Sequence, residues 1–521
     1  MPVVTTSFED AFQSVNSAIA SASAFVYDHS MGWVMMFILL GGGIYLTIRG
    51  RGLQFRLFGH MISTVLGSRK GAGDDGISSF QAFALGLADR VGTGNIAGVA
   101  IALVLGGPGA IFWMWIVASI GMATAFLEAT LAQVFKVRNP DGTFRGGPAY
   151  YMAHGLGWTK FAKVFAVCLI FTKGCAFEMV QANTVATTVK AVYGVPTWTT
   201  ALLLLLISAP FIMTGVKPVA RLAEFLAPVM AIAYLTLGVA MLVINYDAIP
   251  TVFGWIFSYA FGIESITGGV AGGIVIAMLQ GTRRGLYSNE AGMGTVPNAA
   301  ATATVNHPVR QGLIQSLGVF ADTMVVCTCT ALIIMVSGLY DPTRQMDSVD
   351  GAALTLQAVG TLGEWTTPIM VVIITIFSYS TLLGNFAYAE GNVKFLRGIS
   401  SNCTGLKLLI LVSMTLGAVL DLKAVWSIAD WMSAICACLN IVAVIALSKW
   451  AIGALRDYQA QRKSGIDPDE IVFCTTENPF LPDDLIGSMW TEDAWTRKLN
   501  RGVHHPRKPG DFLGWLMRED L

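Results

Sequence analysis

Charged side chains are scarce in this chain of 521 residues, where they make up 13% against about 25% in an average soluble domain. The 33 acidic residues balance the 33 Lys and Arg residues, so the formal net charge is +0 and the basic excess of a nucleic-acid-binding protein is missing. Hydrophobic residues reach 54%. The shortage of charge excludes an ordinary soluble domain, and it indicates a protein of the lipid bilayer with no nucleic-acid partner.

Residues suited to catalysis are also few. The chain has six histidines, none of them clearly inside a long apolar run, and it has no His-x-x-x-His or Gly-x-Ser-x-Gly motif. An intramembrane hydrolase would need a nucleophile–base pair or metal ligands at workable spacing. Most of the eight cysteines fall in apolar runs, and Cys327/Cys329 and Cys436/Cys438 have i,i+2 spacing, which points the side chains apart on a helix. We therefore predict no enzyme activity, no disulfide framework and no cofactor.

Long apolar runs fill most of the remaining sequence. A run of about 20 residues is long enough to cross a bilayer as a helix, and eleven such runs predict an all-α polytopic membrane protein. The predicted spans are 31–48, 78–105, 110–136, 161–190, 198–215, 222–245, 264–285, 310–337, 367–394, 405–421 and 424–451. Between them, the stretch 251–263 is typical of an interfacial helix.

Lys and Arg collect on one side of the predicted spans, which sets the orientation of the chain. The poorer side has only Lys190, Arg344 and Lys423. The richer side has Arg49, Arg51, Arg56, Arg69, Lys70, Lys136, Arg138, Arg145, Lys217, Arg221, Arg283, Arg284, Lys394, Arg397, Lys449 and Arg456. The richer side is predicted to be cytoplasmic, with the protein in the inner (plasma) membrane.

This orientation divides the chain into three parts. Residues 1–30 lack the basic start and the cleavage site of a signal peptide, and they form an outer N-terminal segment. Residues 31–455 form the membrane domain. Residues 456–521 form a polar cytoplasmic tail whose sequence reveals no chemistry.

Two glycine-rich segments interrupt the predicted spans, at residues 91–95 and 268–273. Unwound backbone is costly in lipid, because nothing there satisfies bare N–H and C=O groups, and it persists where it lines a cavity. Without the first span, ten spans divide into two sets of five, 78–245 and 264–451, and each set opens with a broken helix. Because five is an odd number, the second set is inverted relative to the first. The sequence therefore predicts a secondary transporter built from inverted repeats, with its site at the membrane midplane.

The first break has the chemistry to hold an anion. The amides of Gly92, Thr93, Gly94 and Asn95 begin a half-helix whose dipole favours a carboxylate, such as that of an amino acid. Asn95 either caps this half-helix or contacts the ligand. The alternative interpretation is close helix packing, since Gly94 and Gly98 have the small-xxx-small spacing of membrane helix contacts.

The same break has the chemistry to hold a cation. The carbonyl groups released at Ala88 and Val91 are natural ligands for a hard cation such as Na⁺. Asp89 and Arg90 lie just before the break, where they form either a cytoplasmic-side gate or a structural pair.

Other ionisable residues inside predicted spans are functional candidates, because charge is costly in lipid. Asp322 lies in the middle of its span and is a candidate for a second cation site. Lys173 and Glu178 are candidate partners, although their i,i+5 spacing is not ideal for a helix. Structural pairing is the alternative for each. Further members of this set are Glu128, Glu224 and Glu390.

Several segments carry a family resemblance. They are residues 90–100 (RVGTGNIAGVA), 146–152 (GGPAYYM) and 285–294 (GLYSNEAGMG), with Gln181-Ala182-Asn183 and Asp322-Thr323 in later helices. Together they resemble the alanine or glycine:cation symporter family, over residues 30–455. The resemblance implies a Na⁺-coupled, sometimes H⁺-coupled, importer of a small neutral amino acid that works by alternating access. It also implies the five-plus-five inverted-repeat fold shared with neurotransmitter:sodium symporters.

The resemblance implies a Na⁺ site between the first and eighth core helices. The eighth is the span 367–394, where Ser380 and Thr381 are adjacent hydroxyls near the middle. They are the side-chain candidates for Na⁺ binding beside Ala88 and Val91. Their alternative role is a hydrogen bond to a carbonyl of the preceding turn, which Ser and Thr commonly make in membrane helices.

Two departures from the family bear on substrate choice. Val270, in the second glycine run with Gly269 and Gly272, stands where the family usually has Phe, and Asn385 stands where it usually has Trp. If both face the pocket, the pocket is larger and more polar than one shaped for alanine or glycine, and glutamine or asparagine becomes the hypothesis. The alternative is that both residues pack elsewhere. H⁺ coupling, a passive channel and a transporter-derived sensor remain alternative functions.

Overall fold

The computed structural model describes residues 31–68, 77–214, 216–263, 269–343, 351–399, 401–467, 470–485 and 488–490. Helices make up most of this part of the chain. Its strands are confined to one antiparallel hairpin, β1 (Val137–Arg138) and β2 (Phe144–Arg145), and one isolated parallel bridge joins Ile77 to Ala303. The mostly helical architecture agrees with the predicted helical membrane protein.

The first half of the chain forms helices where the sequence has apolar runs. They are α1 (Gly32–Arg49), α2 (Leu53–Arg56), α3 (Phe58–Gly67), α4 (Ser79–Arg90), α5 (Val99–Gly106), α6 (Gly109–Val134), α7 (Pro148–Gly155), α8 (Thr159–Phe171), α9 (Phe177–Tyr193), α10 (Thr197–Thr214), α11 (Val216–Ile244) and α12 (Ile249–Ala260). A π-helical turn, Gly94–Gly98, leads into α5, and another, Thr172–Ala176, joins α8 to α9. Ser78 and Gln81 begin α4 with a reciprocal capping box, which satisfies two backbone N–H groups at the helix start.

The second half continues in the same way. Its helices are α13 (Gly269–Asn289), α14 (Pro297–Thr302), α15 (Pro308–Val319), α16 (Thr328–Val336), α17 (Ala352–Gly360), α18 (Thr366–Arg397), α19 (Thr404–Val419) and α20 (Leu422–Lys463). A π-helical segment, Phe320–Cys327, joins α15 to α16. The side chain of His307 accepts the Val309 N–H at the start of α15, where Pro308 needs no N–H partner.

Helices stand at each of the eleven predicted positions, but their lengths differ. Within the described ranges, six are long and apolar enough to cross a membrane, or up to eight if each of two bent pairs counts as one span. One bent pair is the predicted broken helix, Ser79–Arg90 with Gly94–Gly106, which bends by 48°. The other joins Val229–Ile244 to Tyr246–Ala260 at 81°, in line with the interfacial helix predicted near 251–263. The count of eleven spans and the inverted repeat remain predictions.

Most of the second glycine-rich segment is helical. Residues 264–268 are outside the described part of the chain, but 269–273 belong to the continuous helix α13, so the predicted break is wrong for those residues. The backbone unwinds instead after α13, where Glu290, Gly292 and Gly294 have φ values of 57°, 92° and 81°. Glycine allows unwinding without requiring it, whereas left-handed φ values at Gly292 and Gly294 are strained for any residue with a Cβ.

Packing of the helices brings the two halves of the chain together. Helix α6 packs against α13 and α15, α9 packs against α18 and α19, and α4 lies between α11 and α18. The broken helix α4–α5 is therefore buried among helices of both halves. This position puts residues 91–95 near the centre of the molecule.

Candidate functional site

The break in the first core helix is buried on all sides. Helix α4 ends at Arg90, Val91 leaves the helical region with ψ of 89°, and the chain becomes helical again from Gly94. A Cβ on Gly92 would press into the Thr381 hydroxyl of α18 and lie 3.4 Å from Gln181 Oε1 of α9. Gly92 thus allows two neighbouring helices to approach the unwound backbone.

In this conformation, two of the backbone amides predicted to bind an anion donate to side-chain oxygens of the protein instead. The Gly92 N–H donates to Asn95 Oδ1 at 2.9 Å, and the Thr93 N–H donates to Gln181 Oε1 at 3.4 Å. Asn95 N–H donates to the Gly92 carbonyl at 3.2 Å. Gln181 is a site residue that the sequence reasoning did not select, although it lies in the motif Gln181-Ala182-Asn183. Asn95 lies inside the π-helical turn, and its side chain accepts the N–H of Gly92 three residues earlier, so the ligand contact expected as one of its two roles stays a prediction.

The amide nitrogen of Asn95 joins the break to two later helices. It donates to Asp322 Oδ1 at 2.6 Å and to Ser288 Oγ at 3.1 Å. Asp322 Oδ2 accepts from Ser288 Oγ at 2.6 Å and from Thr323 Oγ1 at 2.8 Å. Both carboxylate oxygens of Asp322 are thus engaged by hydrogen-bond donors, which explains how this buried acid is held. The predicted second cation site at Asp322 stays a prediction.

Oxygen atoms converge where α18 passes the end of α4. Ser380 Oγ and Thr381 Oγ1 each donate to the Ala88 carbonyl at 3.2 Å, and Thr381 Oγ1 also reaches the Asp89 carbonyl at 3.1 Å. Ser380 Oγ makes a further bond to the Phe377 carbonyl of its own helix at 2.9 Å, the alternative role expected for it. The structure therefore brings together Ala88, Ser380 and Thr381, three of the four residues predicted for Na⁺.

The fourth residue, Val91, lies at the same break. Its N–H still donates to the Leu87 carbonyl at 2.8 Å, as the last bond of the helix. Its ψ of 89° turns the next peptide unit away from the helical direction. The Val91 carbonyl therefore does not continue the α4 hydrogen-bond ladder, as the prediction requires.

Asn385 lies one turn beyond Thr381 on α18. It is fully buried, and neither its amide oxygen nor its amide nitrogen has a hydrogen-bond partner within the described residues. A buried amide without partners costs about 1–3 kcal/mol. A ligand with polar groups would satisfy it, so this position fits the substrate contact that the sequence predicted.

The structure does not bring Gly269, Val270 and Gly272 to the break. These residues begin α13, and Tyr287 at the other end of α13 packs on Gly94, where an added Cβ would lie 2.9 Å from the ring. At a rise of about 1.5 Å per residue, Val270 lies roughly 26 Å along the helix from Tyr287. The side chain of Val270 is outside the described part of the structure. The three positions lie toward the far end of a continuous helix, and the substrate contact predicted for them stays a prediction.

A buried ion cluster connects the break to the unwound segment after α13. Lys173 Nζ donates to Asp89 Oδ2 at 2.8 Å and pairs with Glu290 Oε1. Glu290 Oε2 accepts from Thr295 Oγ1 at 2.5 Å. All three charged groups are fully buried or nearly so. Lys173 therefore holds the end of α4 and the start of the unwound segment together.

Two predicted pairings differ from the observed ones. Lys173 is bonded to Asp89 and Glu290 instead of Glu178, whose two carboxylate oxygens lack a hydrogen-bond partner within the described chain. Arg90 donates from Nη1 to the Gln315 carbonyl of α15 at 3.1 Å, a contact distant in sequence. Spacing along the chain could not reveal either contact, since the partners come from other helices.

The unwound segment has its own supports. The Gly292 N–H donates to Glu128 Oε2 of α6 at 3.1 Å, and Asn440 of α20 donates to the Gly292 carbonyl at 2.9 Å. Asn440 also bonds Glu128 and Tyr151. Glu128 was among the ionisable residues singled out in the predicted spans, whereas Asn440 and Tyr151 were not selected from the sequence. They keep a turn of non-helical backbone buried beside the first break.

Known proteins resemble this chain over most of its length. The sequence profile of the sodium:alanine symporter family matches residues 13–472. A Haemophilus influenzae protein named only as an uncharacterized transporter is 43% identical, covering 87% of this chain and 92% of its own. A Bacillus subtilis protein named as a probable sodium/glutamine symporter is 42% identical, with coverages of 84% and 90%. A Methanococcus maripaludis sodium/alanine symporter is 35% identical, with coverages of 86% and 98%.

Proposed function

The chain belongs to the sodium:alanine symporter family, and from this premise we propose that it couples inward Na⁺ flow to the uptake of a small neutral amino acid. Membership of a family of carriers makes it a multi-pass membrane transporter and not an enzyme. One observation carries the proposal for this chain. The Ser380 and Thr381 hydroxyls meet the Ala88 carbonyl at the point where the first core helix unwinds.

The proposed Na⁺ site uses only oxygen ligands. The carbonyl oxygens of Ala88 and Val91 and the hydroxyls of Ser380 and Thr381 are the hard, neutral donors that suit an alkali cation. Without the ion, the two hydroxyls donate their hydrogens to the Ala88 carbonyl. With Na⁺ bound, each hydroxyl would turn its lone pairs to the ion. The site therefore joins α4 to α18 when it is filled.

The proposed amino-acid site lies beside it. Gly92, Thr93, Gly94 and Asn95 form the backbone of the break. The substrate carboxylate would replace protein groups as the hydrogen-bond acceptor of its N–H groups. The contact from Gln181 to Thr93 is long, at 3.4 Å, and is the weakest of those that a carboxylate would displace. Na⁺ binding next to this backbone orders it before the substrate arrives.

Asn385 supports a substrate with a polar side chain. Its amide is buried and unpaired in the described structure, and a substrate amide could both donate to it and accept from it. Glutamine or asparagine meets this requirement, while alanine leaves the amide unsatisfied. The Bacillus subtilis relative named as a probable sodium/glutamine symporter supports the same choice. We therefore place glutamine ahead of alanine as the substrate.

The proposed orientation follows the distribution of basic residues. The face rich in Lys and Arg would be cytoplasmic, with the N-terminal segment outside and the C-terminal tail inside the inner membrane. Repeats 78–245 and 264–451 would exchange access between the two sides. The membrane potential then contributes about 2.3 kcal/mol per Na⁺ charge per 100 mV to accumulation.

Uptake into liposomes tests this function. The reconstituted protein would be assayed with labelled glutamine and alanine, with and without an inward Na⁺ gradient. Thr381→Val keeps the shape of the side chain and removes one proposed Na⁺ ligand, so a higher Na⁺ concentration is needed for half-maximal uptake, by about tenfold, equivalent to about 1.4 kcal/mol.

Ser378→Ala is the matched control, because Ser378 lies on the same helix and bonds only its own Ile374 carbonyl among the contacts described. Uptake without accumulation would point to a passive channel. Substrate binding with no uptake would point to a sensor. Equal Na⁺ dependence in Thr381→Val and Ser378→Ala would remove the proposed cation site.

A second candidate function, proton coupling, is favoured by Glu178. This residue is fully buried, its carboxylate is unpaired in the described structure, and the ionised groups that act on it most are Asp89 and Lys173. A buried carboxylate without a partner is very costly, and a proton neutralises it. Coupling to H⁺ would therefore use Glu178 as the proton-binding group.

Glu178→Gln separates the two candidates. If protons drive transport, this variant loses uptake driven by an inward pH gradient, whereas Glu364→Gln, at an exposed position, keeps it. Uptake that depends on Na⁺ alone, and that Glu178→Gln leaves intact, would exclude the proton mechanism.

A further inference from the structure

Residues beyond the last long helix also pack against the rest of the molecule. Helix α20 ends at Lys463, and the chain then turns back across the ends of other helices. We name the described residues 470–485 and 488–490 the tail strap. Phe473 is fully buried in it, against the rings of His307 and Trp490 at 4.9 and 5.6 Å between centroids. The strap is therefore packed into the molecule instead of lying free in solvent.

One side of the strap is bonded to helix α20. Gln461 Nε2 donates to the Val472 carbonyl at 2.7 Å, and the Val472 N–H donates to Gln461 Oε1 at 3.1 Å. Asn478 Nδ2 donates to Asp457 Oδ2 at 3.1 Å. These bonds, together with the close approach of the Phe480 carbonyl to Gly453, fix the strap to about the last three turns of α20.

The other side is bonded to the end of α6 and to the loop between α14 and α15. Trp490 is buried, and its ring N–H donates to the Gln133 carbonyl at 2.8 Å. The Phe473 N–H donates to the Asn306 carbonyl at 3.2 Å. Gln133 in turn donates from Nε2 to the Ala303 carbonyl at 3.0 Å. The strap thus bridges α20 to the end of α6 and to the loop that leads into α15.

The same loop touches the start of the broken helix. Ala303 forms the parallel bridge with Ile77, and the Thr304 N–H donates to the Ile77 carbonyl at 3.0 Å. Ile77 lies just before the capping box that begins α4. Helix α4 runs unbroken from there to Arg90, at the edge of the site. A continuous series of hydrogen bonds and packed side chains therefore connects Trp490 to the helix that carries the break.

We propose that the tail strap is a brake on transport, which holds the start of α4, the end of α6 and the 303–307 loop in the arrangement that buries the site. The inference depends on the proposed function, since a brake needs a site that opens by alternating access. In this arrangement Thr93, Asn95 and Asn385 are 1%, 0% and 0% exposed. A movement that opens the site on the side where the strap lies would have to loosen the strap or move α20 with it.

The family match supports a role added to the shared transport machinery. The sequence profile of the family ends at residue 472. Phe473 and Trp490, which make the buried contacts, lie beyond that limit. The strap is thus a candidate for adjusting the rate of a transporter whose binding site lies elsewhere.

Truncation tests the brake. A chain ending at Lys463 lacks the strap, and a chain ending at Trp490 is the matched control, because it keeps the strap and loses only residues 491–521. The first readout is hydrogen–deuterium exchange of the amides in α4 and in the 303–307 loop, which needs no substrate. The second is the initial rate of amino-acid uptake into liposomes at saturating substrate and Na⁺.

The brake predicts at least threefold faster exchange at both places, and at least twofold faster uptake, in the chain ending at Lys463 than in the control. Trp490→Ala in the full chain should change both readouts in the same direction by a smaller factor. Trp490→Phe, which keeps an aromatic ring but loses the hydrogen bond from the ring N–H, should give an intermediate result. These two variants keep the test valid even if the shortened chain does not fold.

Other outcomes overturn the inference. Equal exchange and equal uptake in the shortened chain and the control would exclude a brake. Slower uptake with a lower unfolding temperature, in both the truncation and Trp490→Ala, would make the strap a structural support only. If exchange in α4 rises as predicted but no variant accumulates either amino acid, the proposed function fails while the mechanical link through the strap stands.

Discussion

The glycine-rich segments 91–95 and 269–273 both belong to apolar helical stretches, yet the first is unwound at residues 91–92 and the second is helical. The first is surrounded by groups that take over the hydrogen bonds of an unwound backbone. Asn95 and Gln181 accept hydrogen bonds from its N–H groups, and the Ser380 and Thr381 hydroxyls donate to the Ala88 carbonyl just before it. The second lies in α13, whose own ladder satisfies the backbone.

Glycine therefore permits a break in a membrane helix but does not by itself cause one. Backbone groups inside a bilayer must be satisfied, so an interruption forms where other helices supply partners. The segment after α13 follows the same rule, since Glu128 and Asn440 bond its backbone at Gly292. Partners from distant parts of the chain therefore decide which glycine-rich segment unwinds.

The largest effect is expected from Lys173→Met, which removes the cation between the two unwound segments. Asp89 and Glu290 would then be buried without their partner, at a cost of about 3–5 kcal/mol in the free energy of unfolding. Thermal unfolding of the purified protein in detergent measures this loss. Lys394→Met is the control, because Lys394 is about a third exposed, pairs with Glu390 one helical turn away, and should cost less than about 1 kcal/mol. Similar losses for the two variants would contradict the linking role of Lys173.

A smaller effect is expected from Asn95→Ala at the first break. The substitution leaves the Gly92 N–H and Asp322 Oδ1 without the Asn95 side chain, which costs about 3 kcal/mol because one of the groups is a carboxylate. We expect a lower unfolding temperature and lost amino-acid uptake in the same preparation. Asn139→Ala, in the β1–β2 hairpin, is a control for loss of an amide from a less buried site. A stable, active Asn95→Ala protein would show that the break does not depend on the Asn95 side chain.

Gly92→Ala tests whether close approach explains the glycine. The added Cβ would press on Thr381 and approach Gln181, and crowding of this kind costs about 1–3 kcal/mol. Na⁺-dependent uptake should be lost even where the protein folds, because Thr381 is displaced from the Ala88 carbonyl. Measuring uptake and unfolding temperature together separates the two effects. Normal Na⁺ dependence in this variant would contradict the observed packing.

Gly272→Ala should have the smallest effect and the opposite sign. In a helix interior, alanine is more favourable than glycine by about 0.5–1 kcal/mol. The unfolding temperature should therefore stay level or rise slightly, with uptake unchanged. A loss of uptake at Gly272 as severe as that expected at Gly92 would show that the second glycine run unwinds during transport.

Prediction from the sequence succeeded best for features that depend on short stretches of chain. Apolar runs gave helices at the predicted positions, and the break at residues 91–95 lies where the glycines and Asn95 indicated. The contact of Ser380 and Thr381 with Ala88 also agrees with the prediction, but its basis was the family resemblance. Spacing within one helix failed for Lys173, because its partners Asp89 and Glu290 lie 84 and 117 residues away.

The membrane class, the positions of the helices and the family could be read from the amino-acid sequence, because hydrophobic run length, glycine content and short motifs are local properties. Contacts between helices that are distant in the chain set which buried charges pair and which predicted residues share a site. Ala88, Ser380 and Thr381 meet because α18 packs on α4, and residues 269–273 belong to the other end of the helix that packs on Gly94. The physical reason is that buried backbone and buried charge need partners, and here those partners come from helices far apart in the chain.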